Sequence, residues 1–84
     1  MSYQVLIKSS AEKELDAVSP PFHKKIAAKI ISLGEHPRPL GSQKLSGTDG
    51  YRIRVGDYRV VYTVDDKASV VTIIAVGHRR EVYR

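Results

Sequence analysis

The spacing of apolar residues predicts a short strand followed by two helices in the first part of the chain. The strand is the apolar segment from Tyr3 to Ile7. A first helix is indicated by apolar residues that recur at spacings of four and three: Ala11, Leu15 and Val18. A second helix is indicated by an apolar face formed by Phe22, Ile26, Ile30 and Leu33. Ala27 and Ile31 are expected to widen this face. The two helices are therefore predicted to form a hairpin.

Capping residues suggest where these helices begin and end. Ser9 or Ser10 is the expected cap of the first helix, because a serine hydroxyl accepts a hydrogen bond from an unpaired first-turn amide. Ser19 is the expected cap of the second, with Pro20 at its first position, where no amide hydrogen is needed. Gly34 is expected to close the second helix in the left-handed conformation.

The second half of the chain alternates with a period of two after one long loop over residues 37–50. In YRIRV, Arg52 and Arg54 face away from the apolar side, and VGDY fits a two-residue hairpin turn. The segments YRVVYTV and SVVTIIAV continue as strands. Residues 1–84 are thus predicted to form one α+β domain, an antiparallel sheet with an N-terminal helical hairpin on one face, in the order β-α-α-β-β-β.

The predicted hairpin sets two arginines side by side. If Gly56 and Asp57 form the turn, Arg54 lies directly opposite Arg59, with Arg52 on the same face. Opposed like charges destabilise a sheet, so this pair indicates a negatively charged ligand; the alternative is an ordinary solvated sheet face. The last strand ends beside the middle one, so the terminal residues are expected to join the same pocket: His78, Arg79, Arg80 and Tyr83.

Charge and composition narrow the class of partner. Fourteen Lys and Arg against nine Asp and Glu give a net charge of +5, which favours a polyanionic partner. The chain contains no cysteine and no metal-ligand spacing, so no disulfide, metal or cofactor is expected. The sequence shows no signal-peptide pattern and no apolar run long enough to cross a bilayer, so a cytoplasmic protein without membrane association is expected.

The segments KLSGTDGYRIRVGDYRVVY and VGHRREVYR resemble toxins of the RelE/ParE superfamily of toxin–antitoxin systems, and most closely the RelE branch. The resemblance extends over nearly the whole chain and agrees with the predicted fold. It implies an endoribonuclease that cuts messenger RNA in the ribosomal A site, contacts ribosomal RNA and is held inactive by an acidic antitoxin. The residues that it assigns to the active site are Arg52, Arg54, Arg59, Arg79 and Tyr83.

The implied chemistry suits these residue types. Attack of a 2′-hydroxyl on the adjacent phosphorus needs no metal if cations neutralise the developing charge. Arg59 and Arg79 are expected to stabilise the phosphorane, because a guanidinium matches two phosphate oxygens at once. Tyr83 is expected to stack on the target base or to order the 2′-hydroxyl. Lys44 and Arg80 are expected to add RNA contacts.

The general base is left open by the resemblance. RelE-like toxins often carry lysine where this chain has Arg52 and Arg54, and an arginine cannot serve as a conventional base because it is not deprotonated in proteins. The remaining candidates are His78 and Lys44. His78 is favoured, since an imidazole titrates near neutral pH.

Two other functions fit the same sequence. A ParE-type toxin would share the fold and inhibit DNA gyrase through protein contacts, without a nuclease site. A non-catalytic module that binds RNA or an antitoxin is the third hypothesis, because the lysines expected of a nuclease are missing. Breaks in A-site message would favour the nuclease, and gyrase-dependent DNA breaks would favour the ParE-type toxin. Neither kind of break would favour the non-catalytic module.

Overall fold

Two helices and five strands make up the computed structural model, which describes residues 2–78 apart from positions 46 and 48. In chain order the elements are β1 (Gln4–Ile7), α1 (Ser9–Asp16), α2 (Phe22–Ser32), β2 (Gln43–Lys44), β3 (Gly50–Val55), β4 (Tyr58–Asp65) and β5 (Val70–His78). The predicted α+β architecture is confirmed. Neither helix is long and apolar enough to cross a membrane, within the ranges that the structure describes.

The strands form one sheet in the order β1-β5-β4-β3-β2. The predicted antiparallel meander of β3, β4 and β5 is confirmed, whereas β1 pairs with β5 in the parallel direction. A strand of four residues carries too little pattern to specify its partner. The two helices that follow β1 carry the chain from one edge of the sheet to β2 at the opposite edge.

The helices cover one face of the sheet and enclose the core. α1 packs against β5 and α2 against β3. The predicted apolar faces are confirmed, and the buried hydrophobic side chains among the described residues are Ala11, Leu15, Val18, Ile26, Ile30, Leu33, Ile53, Val60, Tyr62, Val64, Val71, Ile73 and Val76. Ile31 is an exception: it is 73% exposed, so the prediction that it widens the α2 face is wrong. One residue further along a helix turns the side chain by about 100°, away from the sheet.

The predicted helix caps differ from those observed. Ser9 and Ser10 lie inside the first turn of α1, and no side chain caps that helix. α2 begins at Phe22, so Ser19 and Pro20 precede it rather than start it. Serine and proline therefore indicated the region in which the second helix begins, and Phe22, its first residue, packs against the core.

Gly34 follows α2 for a reason other than the predicted one. Its φ is not among the positive values, which occur at Gly41, Gly47 and Gly56 of the glycines described. A Cβ at Gly34 would lie 3.0 Å from the carbonyl oxygen of Tyr3 and 3.1 Å from the side chain of Val5. The glycine therefore lets the end of α2 approach β1 and the residue before it, Tyr3, whose amide donates to the Gly34 carbonyl at 2.6 Å.

The segment predicted as one long loop contains a strand. β2 pairs with β3 through Gln43 opposite Arg52 and Lys44 opposite Tyr51. Two residues are too few to show an alternation of apolar and polar side chains, which is why the pattern did not reveal this strand. Among the residues that the structure describes, no strand pairs with this edge of β3 from Ile53 onward.

Candidate functional site

The β3–β4 hairpin places the arginines as predicted. Arg54 pairs directly with Arg59, and the turn residue Gly56 has a φ of +60°, the conformation that the turn requires. Ile53 and Val60, the neighbours of this pair, are buried under the helices. Because side chains alternate along a strand, the two arginines project from the face that the helices do not cover, together with Arg52.

These arginines line a depression of about 320 Å³ at the open edge of β3. β2 is antiparallel to β3, so the residues before Gln43 continue alongside Ile53. Leu40 and Gly41 of this segment therefore line the side of the depression farthest from β4. The lining residues are Lys29, Leu40, Gly41, Gln43, Arg52, Ile53, Arg54 and Arg59. Among these described residues there are four cations and no carboxylate, so the depression is suited to a multiply charged anion.

Gln43 holds one of the arginines in place, a contact that the sequence did not indicate. Its side-chain oxygen accepts from Nε of Arg52 at 3.0 Å and also from Nη2 of the same guanidinium. The neighbouring Lys44 is exposed and pairs with Tyr51, whose side chain belongs to the helix-covered face. The register therefore places Lys44 on the opposite side of the sheet from Arg52.

His78 lies on the other face of the sheet from the arginine pair. It pairs with Tyr58, and the two rings meet edge to face with centroids 5.8 Å apart. Arg59 pairs instead with Gly77, one residue earlier on β5. His78 lines a separate depression of about 420 Å³ beside α1, together with Glu14, Ala17, Val18, Tyr58, Val76 and Gly77.

The prediction that His78 shares a pocket with Arg54 and Arg59 is therefore wrong. The predicted strand ended at Val76, but β5 continues to His78, and two further residues of alternation carry the imidazole to the helix side. Its role as general base stays a prediction. Arg79, Arg80 and Tyr83 lie outside the described residues, and their roles stay predictions as well.

The placement of His78 has a direct kinetic consequence. If the chain cleaves messenger RNA, as the resemblance implies, we expect His78→Gln to keep most of the wild-type rate, because the imidazole faces away from the arginine pair. Single-turnover cleavage of ribosome-bound message between about pH 5.5 and 8.5, a range that spans histidine titration, measures this. A large loss of rate together with a flattened pH dependence would restore the histidine as the base.

A second cluster, around Arg38, fixes the loop that leads into the site. The Arg38 guanidinium donates to both carboxylate oxygens of Asp66, at 2.8 and 3.2 Å, and its Nε donates to the Tyr51 hydroxyl at 2.9 Å. The Tyr3 hydroxyl donates to the same carboxylate at 2.6 Å. The hydroxyl of Tyr62, whose pKa burial raises, donates to the Pro37 carbonyl at 2.8 Å.

These contacts fasten residues 37–38 to β3, to β4 and to the turn that follows β4, just before the chain reaches Leu40 and β2. The hydrogen bonds from Arg38 and then from Tyr3 lower the pKa of Asp66, and the bond to Asp66 raises the pKa of Tyr3. The sequence did not reveal this cluster, because Arg38 and Asp66 are 28 residues apart and neither belongs to a periodic pattern.

The lowered pKa of Asp66 predicts a pH-dependent contribution to stability. A carboxyl whose pKa falls on folding stabilises the fold above its unfolded pKa, about 3.9, and loses that contribution as the pH falls through the folded value. Asp66→Asn should therefore melt below wild type at pH 7 and low salt, and the difference should shrink below about pH 4. Asp49→Asn, at an exposed aspartate, is the control. A difference that persists unchanged in acid would contradict the ion-pair account.

Comparison with known proteins identifies relatives over the full chain. A family model described as the ParE toxin of the type II toxin–antitoxin system parDE matches residues 5–83. Toxin RelG of Mycobacterium tuberculosis is 30% identical over 92 residues, covering 100% of this chain and 99% of that protein. The mRNA interferase toxin RelE of Escherichia coli K12 is 34% identical over 88 residues, covering 99% of this chain and 92% of that protein.

A solved structure shares the fold as well. A chain of the archaeal RelE–RelB complex from Pyrococcus horikoshii superimposes with a TM-score of 0.84 at 33% identity. The match covers 94% of this chain and 97% of the other. The predicted resemblance to RelE-like toxins is therefore confirmed by sequence and by fold.

Proposed function

The chain belongs to the ParE toxin family of type II toxin–antitoxin systems, and we propose from this premise that it is a toxin that cleaves messenger RNA. Its relatives include proteins named mRNA interferase RelE. We place its action in the ribosomal A site, where it would contact both the message and ribosomal RNA. The translating ribosome is cytoplasmic, so the proposed site of action is the cytoplasm.

The observation that carries this proposal is the direct pairing of Arg54 with Arg59, beside Arg52, in a depression whose described lining has no carboxylate. Like charges opposed across two strands destabilise a sheet by about 0.2–1 kcal/mol. A bound phosphodiester turns this repulsion into attraction, because each guanidinium can donate two parallel hydrogen bonds to phosphate oxygens. The hairpin therefore presents an anion site on a rigid element.

The proposed reaction is attack of a 2′-hydroxyl on the adjacent phosphorus. The 2′-oxygen loses its proton and forms a bond to phosphorus, while the bond from phosphorus to the 5′-oxygen breaks and that oxygen takes up a proton. The products are a cyclic phosphate and a 5′-hydroxyl. Arg59 would stabilise the charge on the phosphorane, and Arg52 and Arg54 would hold the strand. Arg79 as a second stabiliser and Tyr83 as a base-stacking residue complete the proposal.

None of the three described arginines can accept the proton of the 2′-hydroxyl, so they do not act as a general base. We propose that they accelerate cleavage in part by aligning the message. Holding the 2′-hydroxyl in line with the scissile bond lowers the barrier by an orientation effect that can be large. Arg52 supports such alignment, since its guanidinium is itself held by Gln43. A rigid donor loses less freedom when it binds phosphate than a mobile one does.

The proposed partner that restrains the toxin is an antitoxin. The structural relative from Pyrococcus horikoshii is a RelE–RelB complex, and RelB-type partners are the class that we propose here. A net charge of +5 favours an antitoxin segment that is acidic where it meets the sheet. Such a segment would compete with RNA for the four cations of the depression.

Primer extension on translating ribosomes tests the proposed activity. Purified toxin should introduce breaks within the codon that occupies the A site, and the cognate antitoxin should abolish them. Message without ribosomes should stay intact if the ribosome supplies the alignment. Message that remains uncut on ribosomes at every toxin concentration would refute the nuclease.

Inhibition of DNA gyrase is the second candidate function, because the matching family model is described by the ParE toxin. The two candidates predict different lesions. A gyrase inhibitor would cause DNA breaks that require gyrase, and it would leave ribosome-bound message whole. Supercoiling assays with purified gyrase, run beside the primer extension, separate the two.

A further inference from the structure

The structure assigns a fourth cation to the site: we propose that the ammonium group of Lys29, on helix α2, binds a backbone phosphate of the message next to the scissile one. This inference rests on the proposed function and adds to it a contact from outside the β3–β4 hairpin. Lys29 is not among the residues whose apolar spacing predicts the second helix.

α2 packs against β3 on the face opposite the arginines, but Lys29 lies at the edge of β3, where the depression is lined by residues from both faces of the sheet. Lys29 lines the same depression as Arg54 and Arg59, and it also lines the neighbouring depression that contains Arg38. Leu40 is the other residue common to both depressions. Lys29 therefore stands where the arginine site opens toward the loop before β2. A nucleotide strand that leaves the arginine pair in this direction passes the ammonium.

Burial distinguishes this lysine from the others on its helix. Lys24 and Lys25 are exposed, whereas Lys29 is partly buried and directly precedes the core residue Ile30. A lysine in such a position lays its aliphatic stem along apolar surface and keeps its charged end at the opening. Lys29 forms no ion pair with any acidic side chain within the described ranges.

The charge of the depression explains why the ligand is a phosphate. Four cations line about 320 Å³, and no carboxylate among the described lining residues offsets them. Two successive phosphates of a nucleotide strand would supply negative charge that the described lining lacks. A lysine in the last turn also stabilises its helix through the helix dipole, but that effect changes stability alone.

The test compares Lys29→Ala with Lys24→Ala, an exposed lysine on the same helix. Binding is measured on ribosomes that carry a 2′-O-methylated message in the A site, and on ribosomes whose message ends before that site. Lys29→Ala should weaken binding about tenfold only when A-site message is present, and it should lower the salt dependence by about one phosphate contact. Lys24→Ala should match wild type in both cases. Lys29→Arg should bind like wild type, since the charge is kept.

Each other result has a defined meaning. Equal binding by Lys29→Ala and Lys24→Ala overturns the inference, as does a defect of the same size on ribosomes without A-site message, which would place the contact on ribosomal RNA. A Lys29→Arg variant as weak as Lys29→Ala would also overturn it. Melting temperatures report the helix-dipole effect separately. Wild type that binds but never cuts an unmodified message refutes the nuclease and leaves the binding comparison valid, whereas wild type that does neither refutes both.

Discussion

Replacing Arg59 with alanine should lower the single-turnover rate of message cleavage by about 10²- to 10³-fold, the usual cost of removing one donor to a developing negative charge. Arg59 is the natural donor because it lies opposite Arg54 on a rigid hairpin and lines the depression without carboxylates. The same variant should relieve growth inhibition when the toxin is expressed without its antitoxin. The rate is measured at saturating toxin on ribosomes programmed with a defined A-site codon.

Two further variants give this result its meaning. Arg59→Lys keeps the charge but loses the planar fork, so its rate should fall between those of wild type and Arg59→Ala. Lys67→Ala removes an exposed cation in the turn between β4 and β5, away from the depression, and should cut at the wild-type rate. Full activity in a folded Arg59→Ala protein would remove this arginine from the mechanism.

Ile30→Ala should destabilise the fold by about 2–5 kcal/mol, since it removes a buried side chain and leaves a cavity. Ile30 is 2% exposed within the core that joins α2 to the sheet. A small domain has only about 5–15 kcal/mol of net stability, so this loss is a large fraction of the whole. The free energy of unfolding is measured by urea denaturation.

The adjacent Ile31→Ala is the matched control. It makes the same chemical change in the same helix, but Ile31 is 73% exposed, so its effect should stay within about 0.5 kcal/mol. The comparison separates burial from helix propensity, because both substitutions introduce alanine into the interior of α2. Similar losses from the two variants would show that the α2 face is assigned to the wrong residues.

Short-range patterns were sufficient for the hairpin and the core. The turn at Gly56 and Asp57 fixes the number of residues between two strands, and this number alone determines that Arg54 meets Arg59. Periods of 3.6 and two residues likewise selected the apolar faces of the helices and strands. Such features depend on residues that are close together in the chain, so they can be predicted from the sequence without knowledge of the fold.

The same patterns failed where a strand end or a short element was involved. His78 was assigned to the arginine pocket because the predicted strand stopped at Val76, and an extension of two residues changed its face. β2 was missed because two residues show no period. In both cases the deciding quantity is a hydrogen-bonded pairing with another strand, which local composition does not encode.

By itself, the sequence determined the order of the helices and of every strand except β2, the apolar faces, the cationic character of the chain and the Arg54–Arg59 pair. Only the tertiary structure decided that β1 runs parallel to β5, that His78 lies on the helix-covered face of the sheet, and that Lys29 lines the same depression as the arginines. The Arg38–Asp66 contact belongs to this second group. The physical reason is distance along the chain: local periodicity fixes which way a side chain points, whereas packing between distant elements fixes what it meets.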